Sequence, residues 1–233
     1  MAERHASTYD APEGAYALDV AGTHVVLLPE RALWLPEFDA LLVADLHWGK
    51  AAAFRAANIP VPTGTTAADL ARLSVALHRT GASHLVVLGD LLHARTGRHI
   101  NTLAAISEWR STLPALKMSL VRGNHDARAG DPPSELGIEC TNEVAVGPFI
   151  GLHIPRPHPS RYVLSGHFHP HVTLSGRGQA SVRLPCFVFG ESIGILPAFS
   201  GFTGKGMYER DESDAIFAIA GETVLPVPAG RRR

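Results

Sequence analysis

The 233-residue sequence predicts an α/β protein, a four-layer α/β/β/α sandwich of two mixed β-sheets flanked by helices. Three observations carry this. Between residues 41 and 121 short apolar runs alternate with stretches of helical periodicity, the pattern of βαβ units and a parallel sheet. From residue 141 onward the apolar runs are separated by Gly and Pro, the pattern of a second, more antiparallel sheet. No internal repeat and no long linker divides the body.

In chain order, residues 1–14 are polar and without period and read as a flexible N-terminal arm. Residues 15–225 read as one domain, and 226–233, ending in Arg231, Arg232 and Arg233, as a basic tail. The runs 41–44, 85–88 and 116–121 have the length and composition of buried strands. Between the first two, Leu70, Leu73, Ala76 and Leu77 recur at helical spacing and predict a helix over 66–79. Thr65 or Thr66 is its expected N-cap and Gly81 its close. A second helix is expected over 99–113, ended before Pro114. The later strand-like runs are 143–146, 149–153, 162–164, 171–174, 183–189 and 215–219.

Hydrophobic residues at 45% and charged residues at 18% fit a folded core and exclude a disordered chain. The formal net charge of −1 supplies no global field for a polyanion, and a local basic groove is not legible in the sum. Cys140 and Cys186 make neither a disulfide framework nor a zinc-finger spacing. The first residues carry no apolar signal core, and no apolar stretch approaches the roughly 18 residues that would span a bilayer. The cytoplasm is the expected compartment, and nothing in the sequence speaks to oligomeric state.

Thirteen histidines are present, and their placement matters more than their number. Each polar cluster begins where an apolar run stops: Asp45-Leu46-His47 after 41–44, Gly89-Asp90 after 85–88, and Gly123-Asn124-His125-Asp126 after 116–121. Ligands of open α/β sheets bind beyond the carboxyl ends of the strands, so these groups are expected in one crevice. In extended backbone the two side chains of Asp45-x-His47 would project to one side. The second half adds His153 after 149–152 and the pair Gly166-His167-Phe168-His169.

These donors are carboxylates, imidazoles and an amide carbonyl, with no thiolate. Such a set suits Mn²⁺ first, with Fe, Zn²⁺, Co²⁺ or Ni²⁺ as alternatives, rather than a sulfur-rich structural zinc. Seven donors exceed what one open catalytic ion needs but suit two divalent metal ions sharing a carboxylate, an arrangement that serves phosphoryl hydrolysis. Each piece alone has a plain alternative: Asp-x-His arises by chance, and Gly-Asp and Gly-Asn-His-Asp also make turns. All of them in this order, each after a strand run, point to a metal centre.

In every one of these motifs the chain resembles the calcineurin-like metallophosphoesterase family, over roughly 41–169. It is similar in particular to the ligase-associated DNA-damage-response endonucleases, over about 22–225. That likeness rests on Arg31-Ala32-Leu33-Trp34, Asp45-Leu46-His47-Trp48-Gly49-Lys50, Phe54-Arg55, Ile59-Pro60-Val61-Pro62, Leu91-Leu92-His93, His169-Pro170, Leu196-Pro197-Ala198-Phe199 and Phe202-Thr203-Gly204. Ser200 stands where the pattern has Gly, and His153-Ile154-Pro155 lacks the acidic residue expected after the histidine. His158 is therefore the alternative to His153, which is favoured because it ends a strand run and keeps the spacing to His167.

The resemblance implies that Asp45, His47 and His169 hold one ion, that Asn124, His153 and His167 hold the other, and that Asp90 bridges them. It implies that His125 faces the scissile phosphate, stabilising the transition state or protonating the leaving oxygen. Asp126 would orient His125 through a hydrogen bond. Arg55 and His93 are candidate substrate-binding residues, and Lys50 and Arg122 are further candidates for phosphate oxygens. His78 and His84 read as packed or solvated, and His5, His24, His99 and His171 as surface residues. The implied function is hydrolysis of a phosphodiester substrate, DNA among the candidates, by a DNA-repair-associated endonuclease or phosphodiesterase. A phosphomonoesterase or nucleotide hydrolase on the same site, or a non-catalytic metal-binding scaffold, are the competing readings.

Overall fold

The computed structural model describes residues 10–61, 64–95, 98–175, 181–203, 208 and 211–228. His5, Pro62, Gly204, Arg231, Arg232 and Arg233 lie outside the described residues.

The first sheet has seven strands in sequence order: β1 (Tyr16–Val20), β2 (Thr23–Leu28), β3 (Ala32–Leu35), β4 (Ala40–Val43), β5 (His84–Val87), β6 (Lys117–Val121) and β7 (Ile138–Thr141). β1 to β4 pair antiparallel and β4 to β7 parallel. Helices α1 (Lys50–Ala56) and α2 (Thr65–Thr80) connect β4 to β5, α3 (Ile100–Ser111) connects β5 to β6, and the short α4 (Asp126–Ala129) follows β6. The predicted βαβ alternation is therefore present, extended by an antiparallel meander before it and by α1.

α2 buries Leu70, Leu73, Ala76 and Leu77 and closes on Gly81 in left-handed conformation. Its N-cap is Gly64 without a side-chain cap, not the expected Thr65 or Thr66: the threonines already lie in the first turn. α3 starts at Ile100, capped by the His99 ring, which accepts from Asn101 N at 3.3 Å.

The second sheet runs β15-β14-β12-β13-β10-β9-β8, comprising β8 (Val144–Val146), β9 (Phe149–Leu152), β10 (Tyr162–Ser165), β12 (Ser181–Phe189), β13 (Ile193–Ile195), β14 (Ala215–Ala220) and β15 (Thr223–Val227). An eighth strand, β11 (His171–Ser175), pairs with β12. Only β9–β10 and β10–β13 are parallel. β15 places Pro226 opposite Phe217 and Val227 opposite Ile216, so these two residues belong to the sheet rather than to a tail.

Alternation along the strands builds the layers. Leu41, Val43, Leu85 and Val87 pack against α2 and α3 through Leu73, Leu77, Ile106 and Trp109. Leu42, Val86, Leu88 and Val121 face the second sheet through Phe149, Leu164, Phe187 and Phe217. The result is a sandwich of two mixed sheets flanked by few helices, and the helices described all lie in connections of the first sheet. Among the described residues no helix is long and apolar enough to cross a membrane.

Candidate metal centre

Adjacent parallel strands β4, β5 and β6 deliver Asp45, Asp90 and Asn124 to one edge, and β9 and β10 of the facing sheet deliver His153 and His167. The loops are stitched together by main chain. Asp45 N donates to Gly89 O at 3.1 Å, His47 N to Asp90 O at 2.8 Å and Trp48 N to Leu91 O at 2.8 Å. Across the sheets, His167 N donates to Asp45 Oδ2 at 2.9 Å.

The convergence of Asp45 and His47 does not come from extended backbone, as expected from the i, i+2 spacing. Both residues are left-handed, at φ 57° and 47°, as are Asp90 at 54°, His167 at 72° and His169 at 45°. Each such residue costs about 1–3 kcal/mol and persists only where its surroundings hold it. Here the cross-loop bonds hold it, and the turns compress both Asp-x-His and His-x-His toward one point. Two motif glycines permit the same crowding: a Cβ on Gly123 would lie 2.2 Å from Asp90 Oδ1, and one on Gly89 2.1 Å from His153 Nδ1.

The side chains form two lobes. Donor atoms of Asp45, His47 and His169 lie within 4.8 Å of one another, as do those of Asp45, Asp90 and His153. His153 Nε2 lies 3.1 Å from Asn124 Oδ1 and 3.2 Å from His167 Nδ1. Asp45 belongs to both groups, and Asp90, a member of the second, also faces the first, with Oδ2 3.8 Å from His47 Nε2 and Oδ1 3.5 Å from His153 Nε2. His153 is buried, its Nδ1 held 2.9 Å from Leu88 O, whereas the half-buried His158 accepts from Ser160 N in a local turn. The structure thus brings His153 into the cluster and leaves His158 out.

A metal fits this donor set. His47 Nδ1 is buried without a hydrogen-bond partner, which is costly, and the buried Asp45 Oδ1 has the His169 Nε2 ring atom 3.2 Å away. Asp45 and Asp90 are two buried carboxylates in one cluster. Burial raises the Asp90 carboxyl, with His153 opposing and Asp45 adding to the rise. Burial, with His169 and then Lys50 alongside, pushes His47 down to about 2. Neutral imidazoles beside carboxylates are the protonation states that bind divalent ions.

His125 lies at the rim, its ring stacked on His93 with centroids 4.8 Å apart and planes at 22°. Its Nδ1 lies 2.7 Å from His93 O, which as an acceptor assigns the proton to Nδ1 and turns Nε2 toward the cluster, 4.0 Å from Asp90 Oδ2. Asp126 does not orient this ring. Its buried carboxylate accepts from Asp90 N at 2.7 Å, Gly123 N at 2.9 Å and Leu92 N at 3.1 Å. It pins the loops that carry the other ligands, and the carbonyl of His93 does the orienting instead.

His93 is pushed down to about 4 by burial and by the neighbouring His125. Its ring approaches Phe54 at 5.9 Å, and Phe54 meets Phe202 edge-on at 5.7 Å. Lys50 Nζ stands 5.9 and 5.6 Å from these two rings, forming a wall that the sequence motifs contained without revealing its assembly. Arg55 is exposed at the end of α1, beside Thr65 and Asn101 on a small hollow. Arg122, a candidate for phosphate oxygens, is paired with Asp131 through two bonds of 2.8 Å. His171, read as a surface residue, is half-buried with Nδ1 2.7 Å from His169 O, and so braces a cluster member.

No protein-family model matches the chain. No curated protein matches it either. Among solved structures, the crystal structure of the Pseudomonas putida nuclease MPE is 40% identical, covers 91% of this chain and all of that chain, and superposes with a TM-score of 0.80. The E. coli phosphoesterase Yfce aligns over 82% of this chain and 99% of its own at 14% identity, but its TM-score of 0.36 says nothing of this fold. Identity of that level across nearly the whole length, with the motif residues gathered as described, places the chain in the calcineurin-like metallophosphoesterase family, hydrolases of phosphate esters that work with divalent metal.

Proposed function

We propose that this chain is a dinuclear phosphodiesterase that cuts nucleic acid, a DNA-repair-associated endonuclease of the cytoplasm. Asp45, His47 and His169 would hold one ion, Asn124, His153 and His167 would hold the other, and Asp90 would serve both. The supporting observation is the Asp90 carboxylate, whose two oxygens face His47 of one group and His153 of the other. Mn²⁺ is the ion proposed first, ahead of Fe, Zn²⁺, Co²⁺ and Ni²⁺. Bound there, the ions supply Lewis acidity and a nucleophile at neutral pH.

The chain's own residues do the rest. His93 O fixes the His125 tautomer, so Nε2 is the atom on which a proton is exchanged with the leaving oxygen. His93 contacts the substrate on this rim with Lys50 beside it, and Arg55 contacts it from the hollow at the end of α1. The nuclease character of the P. putida relative supports nucleic acid over a simple diester. The test uses EDTA-stripped protein reloaded with Mn²⁺, assayed on single-stranded DNA, duplex DNA, bis-p-nitrophenyl phosphate and p-nitrophenyl phosphate. Metal-dependent cleavage of DNA and of the diester is expected, with His125→Ala reducing it about 10²–10⁴-fold while keeping its metal. A preference for the monoester, or His125→Ala with wild-type turnover, would overturn the reading.

A further inference from the structure

We infer that Arg95, Arg98 and Arg128 form a ridge beside His125 that binds the backbone phosphates flanking the scissile one. The inference rests on the nucleic-acid reading above and deepens it by naming the surface that prefers a long polyanion to a small diester.

The formal net charge of −1 gives the protein no global attraction for nucleic acid, so any attraction must be local. The structure makes it local. Arg95 Nε donates to Arg128 O at 3.2 Å, joining the segment after His93 to the last turn of α4. Arg98 Nη1 reaches Ala129 O at 3.3 Å, Gly130 O at 3.4 Å and Asp131 O at 2.6 Å. These acceptors are neutral carbonyls, which fix the Arg95 and Arg98 side chains without cancelling their charge.

Of the acids nearby, Asp126 is buried among backbone donors, Asp131 is taken by Arg122, and the exposed Glu135 shares a hollow with Arg98 without an ion pair to it. Among the described residues no carboxylate pairs with Arg95, Arg98 or Arg128, and Arg95 and Arg128 are exposed. The ridge begins at the chemistry, since Arg95 lies two residues after His93, whose carbonyl holds the His125 ring, and Arg128 three after His125. A nucleic-acid strand carries a charge roughly every 3.4 Å of its axis, so one held at the metal centre brings further phosphates over these guanidiniums. A small diester has none to bring. Ordinary surface arginines, solvated and without a ligand, would leave nucleic-acid binding unchanged when removed.

The experiment measures Kd and cleavage of a single-stranded oligonucleotide by the Mn²⁺-loaded full chain across a range of KCl. It compares wild type with Arg95→Ala/Arg128→Ala, with Arg98→Ala, and with the charge-retaining Arg95→Lys/Arg128→Lys. The double alanine variant is expected to flatten the slope of log affinity against log salt by about 1.4, from two contacts at roughly 0.7 each. KM for the oligonucleotide should rise about tenfold with kcat changed less than twofold, and the lysine variant should restore the slope. Unchanged slope and KM in the alanine variants, with DNA still cleaved, overturn the ridge and leave the nuclease reading standing. Wild type that hydrolyses bis-p-nitrophenyl phosphate but neither binds nor cleaves the oligonucleotide overturns the nuclease reading, and the ridge with it.

Discussion

Removing the Asp126 carboxylate separates two roles that a motif cannot tell apart, orienting a catalytic histidine and pinning the loops that carry the ligands. The structure gives it the second: it is 1% exposed, Oδ2 accepts from Asp90 N and Gly123 N, and Oδ1 from Leu92 N. Asp126→Ala leaves three buried N–H groups without a partner, at about 1–3 kcal/mol each. Water entering the space recovers part of this, so a net loss of roughly 3–5 kcal/mol is expected. At about 2–4 °C per kcal/mol for a chain of this size, the melting temperature should fall by about 10 °C. In Asp126→Asn the amide oxygen can replace Oδ2, but the amide NH₂ then opposes Leu92 N–H, and roughly half the loss should remain. Thermal unfolding followed by circular dichroism, on EDTA-stripped protein so that metal affinity does not enter, measures the order wild type, Asn, Ala. If both variants melt within a degree or two of wild type while kcat collapses, Asp126 acts on His125 after all and the loop-pinning role is wrong.

Three other outcomes follow from the same geometry. Gly123→Ala sets a methyl 2.2 Å from Asp90 Oδ1 and 2.5 Å from Asp90 N, so it should weaken Mn²⁺ binding by about 10–100-fold, measured by calorimetric titration. His153→Ala should lose metal affinity on that scale, whereas His158→Ala, outside the cluster, should stay within about twofold. Acid should destabilise the stripped protein well above the carboxylate range. His47 and His93 are pushed down to about 2 and about 4, so below about pH 6.5 the unfolded chain binds protons the native one refuses, and stability falls with pH. His47 alone contributes a loss of about 2–3 kcal/mol between roughly pH 6.5 and 4.5, offset in part by the raised Asp90 and Asp126. Urea midpoints across that range check this, and a flat profile would refute it.

The strands that carry the centre were legible because both faces of β4, β5 and β6 are buried, which writes them as unbroken apolar runs. β1, β2 and β3 form an antiparallel meander with no helical period between them to mark strand from strand, although β2 and β3 are nearly all buried. β13, three residues long, and β15, interrupted by Pro226, are too short or too broken for periodicity to show. The identity of the cluster residues was visible in type and order, but its geometry was not. Spacing suggested that Asp45 and His47 share a strand face, whereas five residues of the cluster are left-handed, a conformation no period encodes. Contacts made through main-chain atoms were likewise hidden: the carbonyl of His93 orients His125, and the N–H groups around Asp126 take its carboxylate. The arginine ridge was invisible to a net charge of −1, because its charges gather only when the segment after His93 meets the end of α4.

The most direct measurement is the rate of bis-p-nitrophenyl phosphate hydrolysis as Mn²⁺ is added stepwise to the stripped protein. A proposed pair of ions with Asp90 shared between them requires activity that rises to saturation at two equivalents per chain. Full activity at one equivalent, or none at any amount of Mn²⁺ or the alternative ions, would contradict a dinuclear phosphodiesterase.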